Sequence, residues 1–204
     1  MFRRTLLAAA GLSLAGLLAA MPAGAQTTEV GGVKYDNTVR VGGETLVLNG
    51  AGIRYKAVFK VYTAGLYLTQ KAGTPEAAIA TGGPKRIHVV MLRDIDANEL
   101  GKLFTRGMQD NSPREEFAKS IPGTIRMGEI FAAKKKLNTG ESFSVEFLPN
   151  AGTSVLVNGK VVGESIKEPE FFTGLLRIWL GSKPADTALK DLLLGHKPQP
   201  RVEN

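Results

Sequence analysis

Two rhythms of apolar and polar positions divide the chain. Phe143–Phe147 alternates apolar and polar residues, the period of a strand with one wet face. Thr153–Val157 and Lys160–Val162 flank Asn158-Gly159, a dipeptide that favours the tight turn of a hairpin. Thr38–Gly43 and Glu44–Leu48 form a second such pair around Gly42-Gly43. Ala57–Leu68 is rich in β-branched and aromatic residues and too apolar for an exposed strand. It predicts a long central strand, bent at Gly65. Arg86–Leu92 reads as a further strand. The intervening Asn49-Gly50-Ala51-Gly52-Ile53-Arg54 reads as a glycine-relaxed bend, and the mostly polar residues 26–37 as a loose lead-in.

Helical spacing takes over elsewhere. Thr74 caps a short helix with Pro75 at its first position, ending before Gly82-Gly83. Asp96 caps the next, with Glu99 in the capping-box position and Leu100, Leu103, Phe104 and Met108 on one face. A helical stretch from Pro113 is expected to break at Pro122-Gly123 and resume to about Lys136. Phe171–Leu180 is an apolar helix stopped by Gly181. Pro184 opens a last helix that ends near Gly195, before a tail marked by Pro198 and Pro200. Hairpins replace regular βαβ alternation, which predicts the α+β class: an antiparallel β-sheet packed against a layer of α-helices.

The first 25 residues follow a different pattern. Arg3 and Arg4 precede the apolar run Leu6–Ala20, and Ala23-Gly24-Ala25 has the small-x-small form of a cleavage site. The run is short for a membrane span, which needs about 20 residues. The expectation is a signal peptide over 1–25, cleavage near Ala25, one domain over 26–204, and a periplasmic or secreted product. No second long apolar stretch follows, so no transmembrane segment is expected in the mature chain.

Composition then narrows the chemistry. The chain has no cysteine, which removes thiol catalysis and thiolate metal sites. Its two histidines, His88 and His196, lie far apart, so no metal site and no cofactor is expected; His88, inside a strand, reads as a hydrogen-bonded structural residue. Nucleophile-elbow, phosphate-loop and dinucleotide patterns are missing. The formal charge of +7 includes two arginines of the first 25 residues. Lys134-Lys135-Lys136 is short and free of interleaved aromatics, so it reads as a solvated helix end rather than a nucleic-acid site. Binding by arginine, tyrosine and amides in an apolar cleft is what remains.

Leu48-Asn49-Gly50-Ala51-Gly52-Ile53-Arg54, followed by Lys60-Val61-Tyr62-Thr63-Ala64-Gly65-Leu66-Tyr67-Leu68, resembles the chalcone isomerase-like family. Leu176-Arg177-Ile178-Trp179-Leu180-Gly181, with Lys190 and Leu192-Leu193-Leu194-Gly195, is similar to the closing helices of its exported bacterial branch. The resemblance implies an open-faced sandwich with a ligand cleft between sheet and helices. In the isomerases an arginine after the glycine pair holds the phenolate oxyanion, while a threonine and a tyrosine polarise the ketone. In fatty-acid-binding relatives the same arginine holds a carboxylate.

Carried across, that arginine falls on Arg54, whose planar, always-charged fork suits either anion. Ungapped alignment puts Tyr62 at the threonine position; a one-residue shift would choose Thr63 and the opposite strand face. Phe104 and Asn111 match the enzyme's tyrosine and asparagine, and Ile178 stands where it has threonine. The expected site is therefore Arg54 and Tyr62, with Thr63, Phe59, Phe104, Asn111 and Ile178 as ligand contacts. The leading expectation is binding of a small apolar molecule with an acidic group. Alternatives are an intramolecular lyase or isomerase using Arg54 and Tyr62 on a phenolic enone, and an envelope interaction protein with a vestigial cleft.

Overall fold

A computed structural model describes residues 26–197; the expected signal peptide and the end of the proline tail lie outside them. A seven-stranded antiparallel sheet is the spine of the molecule. Its strands are β3 (Thr38–Val41), β4 (Glu44–Lys56), β5 (Phe59–Leu68), β6 (Lys85–Met91), β9 (Ser142–Leu148), β10 (Gly152–Val157) and β11 (Lys160–Ile166). They lie in the order β11-β10-β9-β6-β5-β4-β3. β1 (Thr27–Val30) and β2 (Val33–Asp36) form a separate hairpin, and β7 (Ile95–Asp96) pairs with β8 (Lys136–Leu137). The helices are α1 (Pro75–Ala80), α2 (Ala97–Asn111), α3 (Arg114–Lys134), α4 (Pro169–Leu180) and α5 (Thr187–Leu193). The class is α+β, as the hairpin-rich order predicts.

Local chemistry accounts for most element ends. The Thr74 side chain accepts from the Ala77 N–H, and Asp96 from the Glu99 N–H, so both helices start where an oxygen relieves an orphan donor. Asn158-Gly159 supplies the two left-handed residues of the β10–β11 turn.

Three segments differ from the sequence reading. Asn49–Arg54 is not a bend: β4 runs straight through it, with a bulge between Leu48 and Gly50. Its glycines are there for packing. A Cβ on Gly50 would come within 2.0 Å of the Leu192 carbonyl oxygen, and one on Gly52 within 2.7 Å of the Leu192 side chain. Bare backbone lets α5 lie directly on the strand. Residues 26–37 are not a loose lead-in, because β1 and β2 fold Tyr35 over the outer face of the sheet against Leu46, Leu48 and Tyr67. Nor does α3 break at Pro122. Gly123 presses so closely on Ile166 and Phe171 that a Cβ would sit 2.5 Å from the former. That packing holds the helix through a proline that costs about 3 kcal/mol in an isolated helix interior. The last helix begins after Asp186, whose side chain caps Leu189, rather than at Pro184.

The main core lies between the inner sheet face and α2, α3 and α4. Phe104, Phe131, Phe143 and Trp179 meet there with ring centroids 5.5–5.8 Å apart, mostly edge to face, the arrangement that ring quadrupoles favour. On the outer face His88 is hydrogen-bonded to Ser144 Oγ at 2.7 Å, the structural role its strand position suggests. Lys134 and Lys136 are ion-paired with Glu141 and Asp94 beside the helix end. Among the described residues no helix is long and apolar enough to cross a membrane.

Candidate functional site

Gly50, Gly52 and Arg54 are spaced two apart on β4 and share its inner face. The two glycines carry α5, and Arg54 emerges past the start of that helix. Directly opposite on β5 stands Tyr62. The Arg54 guanidinium carbon lies 5.5 Å from the centre of the Tyr62 ring, within cation–π range. The Arg54 Nε is enclosed and has no hydrogen-bond partner. A buried donor in that state is costly, so the site holds an N–H in need of an acceptor.

Tyr62 is 1% exposed, and its hydroxyl accepts a 2.9 Å hydrogen bond from Trp179 Nε1 on α4. Its pKa is pushed up to about 12, chiefly by burial; Arg54 and the Trp179 bond pull it down, and the Asp186 charge adds to the rise. A phenol in this state stays protonated at neutral pH and serves as a hydrogen-bond donor, not as a base.

α2 and α4 close the cleft. Leu100, Leu103, Phe104 and Gly107 recur on one face of α2 and meet Ile178 from α4. Gly107 allows the approach, since its Cβ would sit 3.2 Å from Ile178. The cavity is about 150 Å³, and Arg106, Asp110, Lys183 and Ala185 complete its lining. Arg54, Arg106 and Lys183 outnumber Asp110, and Asp110 is 3.7 Å from Arg106 Nε. The wall is apolar and the potential positive, an arrangement suited to an acid with an apolar body.

Of the residues expected from sequence, Arg54, Tyr62, Phe104 and Ile178 come together here. The other three stand elsewhere. Thr63 lies on the opposite face of β5, buried, accepting a 2.7 Å bond from the Tyr35 hydroxyl. Phe59 is at the β4–β5 hairpin end, 60% exposed. The Asn111 amide is engaged in tying the end of α2 to the loop after α4, donating to Gly107 O and Lys183 O and accepting from the Lys183 N–H. Arg106, Lys183 and Trp179 were not singled out from sequence. Only the fold brings Arg106 and Lys183 beside Arg54.

A larger groove, about 530 Å³, runs between α3 and the β10–β11 hairpin. Its cations are already matched, Arg126 with Glu168 and Lys134 with Glu141. It therefore lacks the positive excess of the Arg54 cleft.

Residues 27–195 match the family described as chalcone isomerase-like. The chain belongs to that family. Among solved structures it is similar to a fatty-acid binding protein of Arabidopsis thaliana, with 14% identity and a TM-score of 0.60. The alignment covers 80% of this chain and 92% of the plant protein. At that identity the likeness is one of fold: the same sheet-and-helix architecture carries both chains. No curated protein matches.

Proposed function

We propose that this chalcone isomerase-like protein binds a small apolar acid in the cleft between β4–β5 and α2–α4, with Arg54 as the anion partner. The observation that carries this reading is the unpartnered, enclosed Arg54 Nε at an apolar cavity whose lining has three cations and one acid. A carboxylate would satisfy the donor and be held by a charge-assisted, two-pronged contact. Tyr62, kept protonated, would add a hydroxyl donor. The structural relative, a fatty-acid binding protein, agrees with this ligand class. Drug-sized ligands usually occupy about 300–1,000 Å³, so a cavity of about 150 Å³ encloses the head and first carbons of an acid. A longer tail would leave past Leu103, which is part-exposed on α2.

Cyclisation of a phenolic enone is less well supported. Phe104 and Ile178 present no polar atom to a ketone, and the Asn111 amide is already engaged. Cleavage near Ala25 and work in the periplasm belong to the same proposal, on the strength of the amino-terminal pattern.

Trp179 is the sole tryptophan and touches Tyr62, so its fluorescence reports on the cleft. Titration of the mature protein with straight-chain carboxylates of increasing length should give a saturable change. Arg54→Ala should weaken binding at least about tenfold, with Arg54→Lys in between, because a point charge replaces a planar fork. Equal affinity in the parent and Arg54→Ala would overturn the assignment of Arg54. No saturable response to any acid would overturn the ligand class.

A further inference from the structure

Among the described residues, four hairpins turn through two residues. β1–β2 uses Gly31-Gly32, β3–β4 uses Gly42-Gly43, and β10–β11 uses Asn158-Gly159, all at positive φ. Such turns demand residues tolerant of that conformation. The β4–β5 turn breaks the pattern. Lys56 pairs with Phe59, so Ala57 and Val58 alone make the turn, and Ala57 is held at φ +52°. A side chain at that angle is strained. Val58 and Phe59, at 81% and 60% exposure, are among the most exposed large apolar side chains of the described residues. The two Gly-Gly turns carry neither cost, and at β10–β11 the non-glycine left-handed residue is an asparagine, which tolerates that conformation, with Val161 exposed beyond it.

Cations surround the tip. Lys56 and Lys60 flank it, both exposed, and the Arg93 guanidinium lies 5.4 Å from the centre of the Phe59 ring. The nearby acids are committed elsewhere: Asp94 to Lys136 and the Thr139 N–H, Asp186 to the N–H groups of Tyr55 and Leu189. An apolar wedge ringed by unmatched basic side chains is the arrangement that enters a headgroup layer and holds anionic lipid around it. A protein partner fits less well, because a stable interface needs about 800 Å² per side and the tip offers three apolar residues.

We propose that the β4–β5 tip docks this protein on anionic bilayers, with Val58 and Phe59 inserted and Lys56, Lys60 and Arg93 at the headgroups. The Lys56–Phe59 pair that closes the tip stands two residues beyond Arg54 and three beyond Tyr62, about 7–10 Å along the strands. Docking in this way sets the cleft mouth beside the lipid. The proposal goes beyond the ligand-binding reading and does not depend on it.

The test is flotation of the mature protein with vesicles of phosphatidylcholine alone or mixed with phosphatidylglycerol. The parent should float with the anionic vesicles, far less with neutral ones, and be released by high salt, which shortens the screening length. Val58→Ser with Phe59→Ser should lower partitioning by roughly tenfold per side chain, with Trp179 fluorescence unchanged as the check on folding. Lys56→Gln, Lys60→Gln and Arg93→Gln should each cost about fivefold on anionic vesicles alone. Failure of the parent to float, or equal flotation of the serine double variant, overturns the proposal. So does a photo-crosslinker at position 58 that captures a protein while vesicles are not bound. Carboxylate titration in solution reads the cleft separately, so the two proposals fail independently.

Discussion

The Trp179 indole N–H donates to the Tyr62 hydroxyl at 2.9 Å, across 117 positions of sequence and beneath the floor of the cleft. The bond joins the apolar helix α4 to β5 and fixes the phenol beside Arg54. Neither group has water to fall back on.

Removing both partners should therefore cost less than the two single losses added together. Tyr62→Phe leaves the indole N–H without an acceptor and should lower stability by about 1–3 kcal/mol. Trp179→Phe should cost at least as much, since it also opens space in the core. The double variant should be less destabilised than the sum. Urea unfolding followed by circular dichroism measures all three; strict additivity would show that the bond contributes nothing.

Gly50→Ala tests why the glycine segment is there. The new methyl would meet the Leu192 carbonyl at 2.0 Å, a backbone atom that cannot turn aside. The expected loss is about 3 kcal/mol or more, a fall in Tm of roughly 6–12 °C for a chain of this size. Gly73→Ala, with open space around it, is the control and should stay within about 0.5 kcal/mol. Equal melting of the two variants would remove the packing explanation.

Alkaline pH should unfold the protein from both faces of the sheet. Burial raises Tyr62 and Tyr67 to about 12, and raises Tyr35 as well. Unfolded tyrosines lose their protons near pH 10, so above that the unfolded chain holds fewer protons than the folded one. Stability is full below pH 10 and lost as pH climbs through 12, with Tyr62 alone worth about 2–3 kcal/mol. Phenolate absorbance should rise together with loss of circular dichroism. Ionisation completed near pH 10 in a still-folded protein would contradict the buried placement.

Acid works through His88. Burial first, then the Arg86 charge, lower its pKa to about 4. The unfolded chain takes up this proton near pH 6.5, so stability declines as pH falls from there towards 4, by about 3 kcal/mol in all. His88→Gln should flatten that slope. Proton-detected titration of the ring gives the folded value directly, and a value near 6.5 would refute the assignment.

Much of the architecture is written in short-range signals. Thr74-Pro75, the Asp96 cap and Asn158-Gly159 act within a few residues of themselves, and each marks a real element end. What fails is anything whose cause is a distant partner. Gly50 and Gly52 imitate a bend because the helix they accommodate lies some 140 residues away; Pro122 imitates a helix break because Gly123 finds Ile166 and Phe171 only in the folded state. The site divides in the same way. Arg54, Tyr62, Phe104 and Ile178 share the cleft and were named through resemblance, whereas Arg106 and Lys183 stand there because α2 and the loop after α4 converge. The choice between Tyr62 and Thr63 turned on one residue of register, and the strand faces separate them completely.

Asn49 adds a consequence in time. Its buried amide donates to the carbonyls of Ala72 and Leu193 and accepts from the Ala72 N–H. A residue laid down in the first quarter of the chain thus waits for one near its end. Contacts so remote in sequence slow folding, because a long loop must close before they are made. Synthesis must be nearly finished before α5 can seat on β4. Until then the inner face of β4 at Gly50 and Gly52 lies without the helix that covers it.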